Sequence, residues 1–188
     1  MSLERKVSEL DRKVRELMGK KTERTRWEWY EERIPALALK LGAASPTETT
    51  RAWSSDTYLD IPVYSYSSTT TQYAEFLWHA PDDLNANHPV YIHVMWAPGA
   101  SWSSGTYKIN IRYLRKTESG TLGADASTLI TQTITPSNAT NIIETEFPDA
   151  IVCNPDELIA FRVIRDTADT GNDVLHLLFI EIEYARWI

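Results

Sequence analysis

Two stretches decide the fold class: Val90-Tyr91-Ile92-His93-Val94-Met95-Trp96-Ala97 and, beyond Pro98-Gly99, Thr106-Tyr107-Lys108-Ile109-Asn110-Ile111-Arg112-Tyr113-Leu114-Arg115-Lys116. In the first, Val90, Ile92, Val94 and Trp96 alternate with Tyr91, His93 and Met95. In the second, Tyr107, Ile109, Ile111 and Tyr113 alternate with Lys108, Asn110 and Arg112. A period of two with one apolar face describes a half-buried strand.

Outward from these two, the same period predicts strands over 57–65, 73–80, 128–135, 141–147, 157–165 and 174–184. The separators carry the residues that close turns: Asp82-Asp83-Leu84-Asn85, Pro98-Gly99, Gly120, Gly123, Pro136-Ser137-Asn138, Asn154-Pro155-Asp156 and Gly171-Asn172-Asp173. Eight antiparallel strands over 56–188 predict a jelly-roll β-sandwich with Greek-key connections, an all-β body.

Before this body the pattern differs. Leu3, Val7, Leu10, Val14 and Leu17 alternate spacings of four and three, the a/d seam of a coiled coil. Residues 1–19 are thus expected to form an oligomerising helix ending at Gly19. The seam is too narrow to cover a globular core, so a self-associating chain is expected, a homotrimer in preference to a dimer. Residues 20–55 read as a connector or docking arm carrying Trp27 and Trp29, with a short helix beginning near Pro35.

Composition excludes several classes. With 188 residues, 43% of them hydrophobic, the chain can bury a full core. Cys153 is the single cysteine, which excludes disulfides within the chain and thiolate-rich zinc sites. No run of apolar residues is long enough for a membrane span, and none resembles a signal peptide. The net charge is −7. Residues 1–33 hold 10 Lys/Arg and 8 Asp/Glu; the rest hold 9 and 18, so the β body is acidic and argues against nucleic acid as partner.

Three stretches taken together resemble a sandwich domain of tailed-phage virion proteins. Tyr58-Leu59-Asp60 precedes the Thr-rich Ser67-Ser68-Thr69-Thr70-Thr71. Tyr73-Ala74-Glu75-Phe76-Leu77-Trp78-His79-Ala80-Pro81 leads through an Asp/Asn loop to Met95-Trp96. Glu157-Leu158-Ile159-Ala160-Phe161-Arg162-Val163-Ile164-Arg165-Asp166 is followed by Ala168-Asp169-Thr170 and a long last strand. The resemblance spans about 57–185 and implies a structural or adhesive role on a virion, with no catalytic residues. The expected function is an oligomeric capsid decoration or head-fibre protein contacting major capsid or tail proteins. The alternative is a tail-borne receptor-binding protein for host glycans, or a carbohydrate-binding module.

The chemistry in the sequence is sparse. His79, His88, His93 and His176 have no short ligand spacing, no Gly-x-Ser-x-Gly elbow is present, and no cofactor or metal is expected. The acidic turn 166–173 lacks the spacing of an EF-hand loop, although calcium there stays open. Glu181 and Glu183 read as a solvent face, so no enzyme is expected. Trp102, in the small-residue loop 100–105, is a candidate contact for a glycan or partner.

The last strand is apolar on both faces. Val174, His176, Leu178, Ile180, Ile182 and Tyr184 suffice for one face, which leaves Leu175, Leu177 and Phe179 on the other. A second apolar face needs cover. The expected cover is a partner chain or residues 27–45.

Overall fold

The structure is a computed structural model that describes residues 26–52, 60–117 and 127–188. The expected helix 1–19, with Leu3, Val7, Leu10, Val14 and Leu17, lies outside the described residues. Among them the chain runs β1 (Trp27–Pro35), a single 3-10 turn (Ala36–Ala38), β2 (Lys40–Leu41), β3 (Thr47–Ala52), β4 (Asp60–Tyr66), β5 (Gln72–His79), β6 (Val90–Pro98), β7 (Tyr107–Lys116), β8 (Thr128–Ile134), β9 (Ile143–Ile151), β10 (Leu158–Arg165) and β11 (Leu175–Trp187).

These strands form two antiparallel sheets packed as a sandwich. Sheet A has the order β3-β4-β11-β6-β9, and β1 also pairs with β11. Sheet B has the order β2-β5-β10-β7-β8. All eight strands expected from period-two patterning are present. Val90, Ile92, Val94 and Trp96 of sheet A and Tyr107, Ile109 and Ile111 of sheet B are buried in one core with Ile159, Phe161 and Val163.

Residues 27–52, expected as a connector, are built into the sandwich. Trp27 to Pro35 pair residue for residue with Trp187 back to Phe179, and Thr47 to Ala52 pair with Ser65 back to Asp60. The short helix expected near Pro35 is the 3-10 turn, which places Ala36 and Leu39 in the core and leaves Leu37 and Leu41 exposed. The boundary at residue 56 therefore does not separate an arm from a body.

The two-faced last strand has a different explanation from the expected one. In β11, Leu177 pairs with Trp96 and Phe179 with Met95, so Leu178 is an extra residue and the register shifts there. A bulge exchanges the faces of everything beyond it. Leu175 and Leu177 point into the core before it, and Ile180, Ile182 and Tyr184 after it. Leu175 and Leu177 are therefore buried in the main core, to which Ala36 and Leu39 of the expected covering segment 27–45 also contribute. Only Phe179 turns outward, half-buried in a small cluster with Ile61, Val63, Met95, Ala97 and Leu178. Pro35 of β1 pairs with it and the Arg33 guanidinium lies 5.9 Å from its ring.

One buried cation braces the end of the sandwich. Arg165 ion-pairs with Asp169 at 3.0 Å, both side chains being almost wholly enclosed. It also donates to the carbonyls of Asp173, Gly171 and Tyr66 and sits 4.6 Å from the Tyr107 ring. Gly105, at φ 92°, lets the neighbouring loop approach the Thr170 carbonyl where any Cβ would collide.

Candidate functional site

Strand alternation sends one set of side chains into the core and leaves the other on the outer faces. On sheet A the outer set is ordered by the ladder. Trp27 pairs with Trp187, and Trp29 with Ala185. Glu31 is opposite Glu183, which is opposite Tyr91. Arg33 is opposite Glu181, then His93, then Glu146.

The first rows form an aromatic platform. Trp27 and Trp29 are 36% and 42% exposed, and their ring centroids lie 5.6 Å apart at nearly a right angle. His88 lies 3.9 Å from Trp27, and Tyr91 lies 6.0 Å from Trp29. The nine-residue pairing of β1 with β11 holds the two tryptophans. The loop before β6 places His88: the Asn85 N–H donates to the Ala185 carbonyl at 2.8 Å, and the His88 N–H donates to the Asn85 carbonyl at 3.0 Å.

Beside the platform lies a carboxylate field. His93 Nδ1 is 2.8 Å from Glu144 Oε1, and its Nε2 is 3.3 Å from Glu183 Oε2. Arg33 Nε donates to Glu181 Oε2 at 2.7 Å, with Glu31 also beside the guanidinium. This contact raises the Arg33 pKa, the hydrogen bond and charge of Glu181 being the main causes. His93, Glu144 and Glu181 bring donor atoms within 4.8 Å of one another and are the residues that could hold a cation. As they stand, the imidazole bridges two carboxylates and Arg33 engages the third.

The arrangement can do two things chemically. The exposed indoles and the half-buried phenol ring of Tyr91 offer apolar faces for stacking, and the adjacent carboxylates accept hydrogen bonds from hydroxyl groups.

No family model and no curated protein matches the chain. Solved structures do resemble it. The mosquito-larvicidal Cry4Aa toxin of Bacillus thuringiensis aligns with a TM-score of 0.53 at 14% identity over 81% of this chain and 23% of the toxin. A family 35 carbohydrate-binding module from an environmental isolate gives 0.47 at 9% identity, over 80% of this chain and 91% of the module. The CBM36-1 domain of a xylanase from the hindgut metagenome of Trinervitermes trinervoides gives 0.46 at 6% identity, over 81% and 96%. What they share is the sandwich.

The other residues singled out in the sequence fall elsewhere. Trp102 lies in the loop between β6 and β7. It is partly buried and packs against the core, with its indole Nε1 enclosed and unpaired. In the turn 166–173 the acidic groups are engaged individually. Asp169 pairs with Arg165, Asp173 accepts from the Ser101 and Val174 amides, and Asp166 accepts from Lys108 and the Ala168 amide. The Lys108 contact is the main reason why the Asp166 pKa is lowered.

His176 lies on the outer side of β11 with Nδ1 enclosed and unpaired. Burial, and secondarily Arg51, depress its pKa to about 4. Burial pushes the Cys153 thiol up to about 12, so it is a poor nucleophile.

Sequence reasoning found Trp27 and Trp29 but expected them to cover β11. It did not join them to His88 and Tyr91. The available signal was the spacing Trp27, Trp29, Glu31, Arg33, which is itself a strand face.

Proposed function

We propose that this chain is a non-catalytic glycan-binding module that engages neutral sugars through Trp27, Trp29 and Tyr91. The observation that carries the reading is the solvent-facing tryptophan pair, fixed on a strand and flanked by Tyr91 and carboxylates. Large aromatic clusters left open on a sheet face mark interaction sites more often than chance exposure. A sugar ring has an apolar face for stacking and hydroxyl groups for hydrogen bonding, and the platform with Glu31 and Glu183 offers partners for both. The acidic surroundings disfavour a negatively charged ligand here.

The phage-virion role expected from the sequence is compatible with this reading as that of a receptor-binding adhesin. The capsid-decoration role has no supporting observation among the described residues.

The test is intrinsic tryptophan fluorescence titrated with neutral oligosaccharides, after a glycan array selects one, on the full chain and on Trp27→Ala/Trp29→Ala. Binding is expected to weaken at least about tenfold, equivalent to roughly 1.4 kcal/mol, at an unchanged thermal midpoint. Undiminished binding by the double variant would remove the platform from the mechanism. Failure of the wild type to bind any array glycan would remove the function.

A further inference from the structure

Sheet B also has an outer face, and its chemistry is opposite in sign. The ladder aligns Lys40 of β2, Glu75 of β5, Arg162 of β10, Arg112 of β7 and Leu129 of β8 in one row across five strands. Two residues along, Leu77, Ala160 and Leu114 form a parallel row on the same face. Between the rows, Phe76, Phe161 and Tyr113 occupy the register that turns inward. The result is a groove of about 790 Å³ running across the strands, with a charged wall and an aliphatic wall.

The charged wall is not neutralised. Glu75 is taken up by Arg162, whose Nε donates to it at 2.8 Å. The same guanidinium stacks 4.0 Å from the Tyr73 ring, which fixes its position. Arg112 and Lys40 are exposed and have no ion-pair or hydrogen-bond partner among the described residues. Glu32 and Ile34 of β1 also line the groove, and the Glu32 carboxylate accepts from the Trp78 indole. With Glu75 taken up by Arg162, the groove keeps an excess of cations, Lys40 and Arg112, in a chain whose net charge is −7. Neighbouring strands lie about 4.8 Å apart, so Lys40 and Arg112, three strands apart, are separated by roughly 14 Å. Leu77, 64% exposed, and Leu114 offer an apolar edge facing this row.

We infer that the groove on sheet B is a second binding site, which takes an extended anionic glycan of the polyuronate type. An acidic polysaccharide carries regularly spaced carboxylates for Arg112 and Lys40, and apolar C–H surface for Leu77, Ala160 and Leu114. Its charge excludes it from the carboxylate field of sheet A, so the two faces sort glycans by charge. The inference rests on the glycan-binding reading but uses none of the platform residues.

The experiment is affinity electrophoresis and calorimetry of the full chain with polygalacturonate, a neutral β-glucan, and polyglutamate of similar length. Wild type is expected to bind polygalacturonate, and raising salt from about 0.05 M to about 0.5 M should abolish binding. Arg112→Glu/Lys40→Glu should weaken it at least tenfold, and Leu77→Asp should weaken it several-fold. Trp27→Ala/Trp29→Ala should leave it unchanged. All three sites are exposed, and equal thermal midpoints confirm that the variants fold. Three results overturn the inference: polygalacturonate not bound, bound equally by the charge-reversed variant, or matched by polyglutamate. If only the neutral glucan binds, the platform reading survives and this one does not. If only polygalacturonate binds, the reverse holds.

Discussion

The outer faces of the two sheets share one core and differ in almost every other respect. Sheet A presents Glu31, Glu144, Glu146, Glu181 and Glu183 against Arg33 and Arg51, together with exposed indoles. Sheet B presents Lys40, Lys108, Arg112, Lys116 and Arg162 against Glu75, together with exposed leucines. In each strand the core dictates every second residue and leaves its neighbours free. One sandwich can therefore carry two surfaces of opposite charge. The net charge, an average over both, conceals the basic one. The acidic composition that argues against nucleic acid as partner is thus chiefly that of sheet A.

The largest effect expected is one that removes both faces together. Arg165→Ala deletes the cation that satisfies Asp169 and three carbonyls at the end of the core. Removing one partner of a buried pair leaves the other charge without compensation, at a cost of about 3–5 kcal/mol. Urea unfolding should show that loss, with neutral and acidic glycan binding falling together as the folded fraction falls. A loss under about 1 kcal/mol would mean that the brace is not structural. Loss of binding on one face alone would mean that the faces do not share their stability.

How much of this was legible follows from where the core leaves its imprint. The eight strands read from alternation all border the core on one side, so burial is written into every second residue. β1 was not legible as a strand. Its inward set is Glu28, Tyr30, Glu32 and Ile34, and its outward set is Trp27, Trp29, Glu31 and Arg33, so neither set is plainly apolar. It pairs with β11 alone at a sheet edge, where Glu32 reaches inward to accept from the Trp78 indole at 2.9 Å. β11 was legible as a strand but not in register, because an added residue at Leu178 leaves no mark on composition. For the site, the two tryptophans were legible as apolar residues in need of an explanation. Their neighbours His88 and Tyr91 come from a distant part of the chain, and only the β1–β11–β6 ladder brings them together.

An intermediate effect separates sheet A from sheet B through pH. His176, on the outer side of sheet A, has its pKa lowered from 6.5 to about 4, by burial first and Arg51 second. The folded state therefore binds fewer protons than the unfolded chain between these values. The sign follows from linkage: the stability is complete above about pH 6.5 and is lost progressively as the pH falls toward 4. His176→Gln removes the titrating group. Between pH 7 and pH 4.5 the variant should lose less stability in urea than the wild type, the difference between the two slopes being the readout. Identical slopes would show that this imidazole takes up its proton without penalty in the folded protein. Arg112→Gln, on the outer face of sheet B, does not touch this imidazole and should leave the slope as it is.

The smallest effect sharpens the contrast in charge. Glu31 and Glu183 stand directly opposite each other on β1 and β11. Like charges at such positions destabilise a sheet, and opposite charges contribute roughly 0.2–1 kcal/mol. Arg33, 3.3 Å from Glu31, offsets part of the repulsion, and solvent screens much of the rest because Glu31 is half exposed. Glu31→Lys converts the pair to an attractive one. The thermal midpoint should rise by no more than about 4 °C at low ionic strength, and the gain should fade as salt is added. A gain that persists at high salt would have a cause other than the charge pair. A lower midpoint would show that Glu31 contributes more through Arg33 than it costs against Glu183, making the carboxylate field a cooperative network built around Arg33 and His93. Sheet B supplies the control. There the directly opposite Glu75 and Arg162 are already complementary and hydrogen-bonded, so Glu75→Lys should lower the midpoint by a comparable amount, with the same dependence on salt.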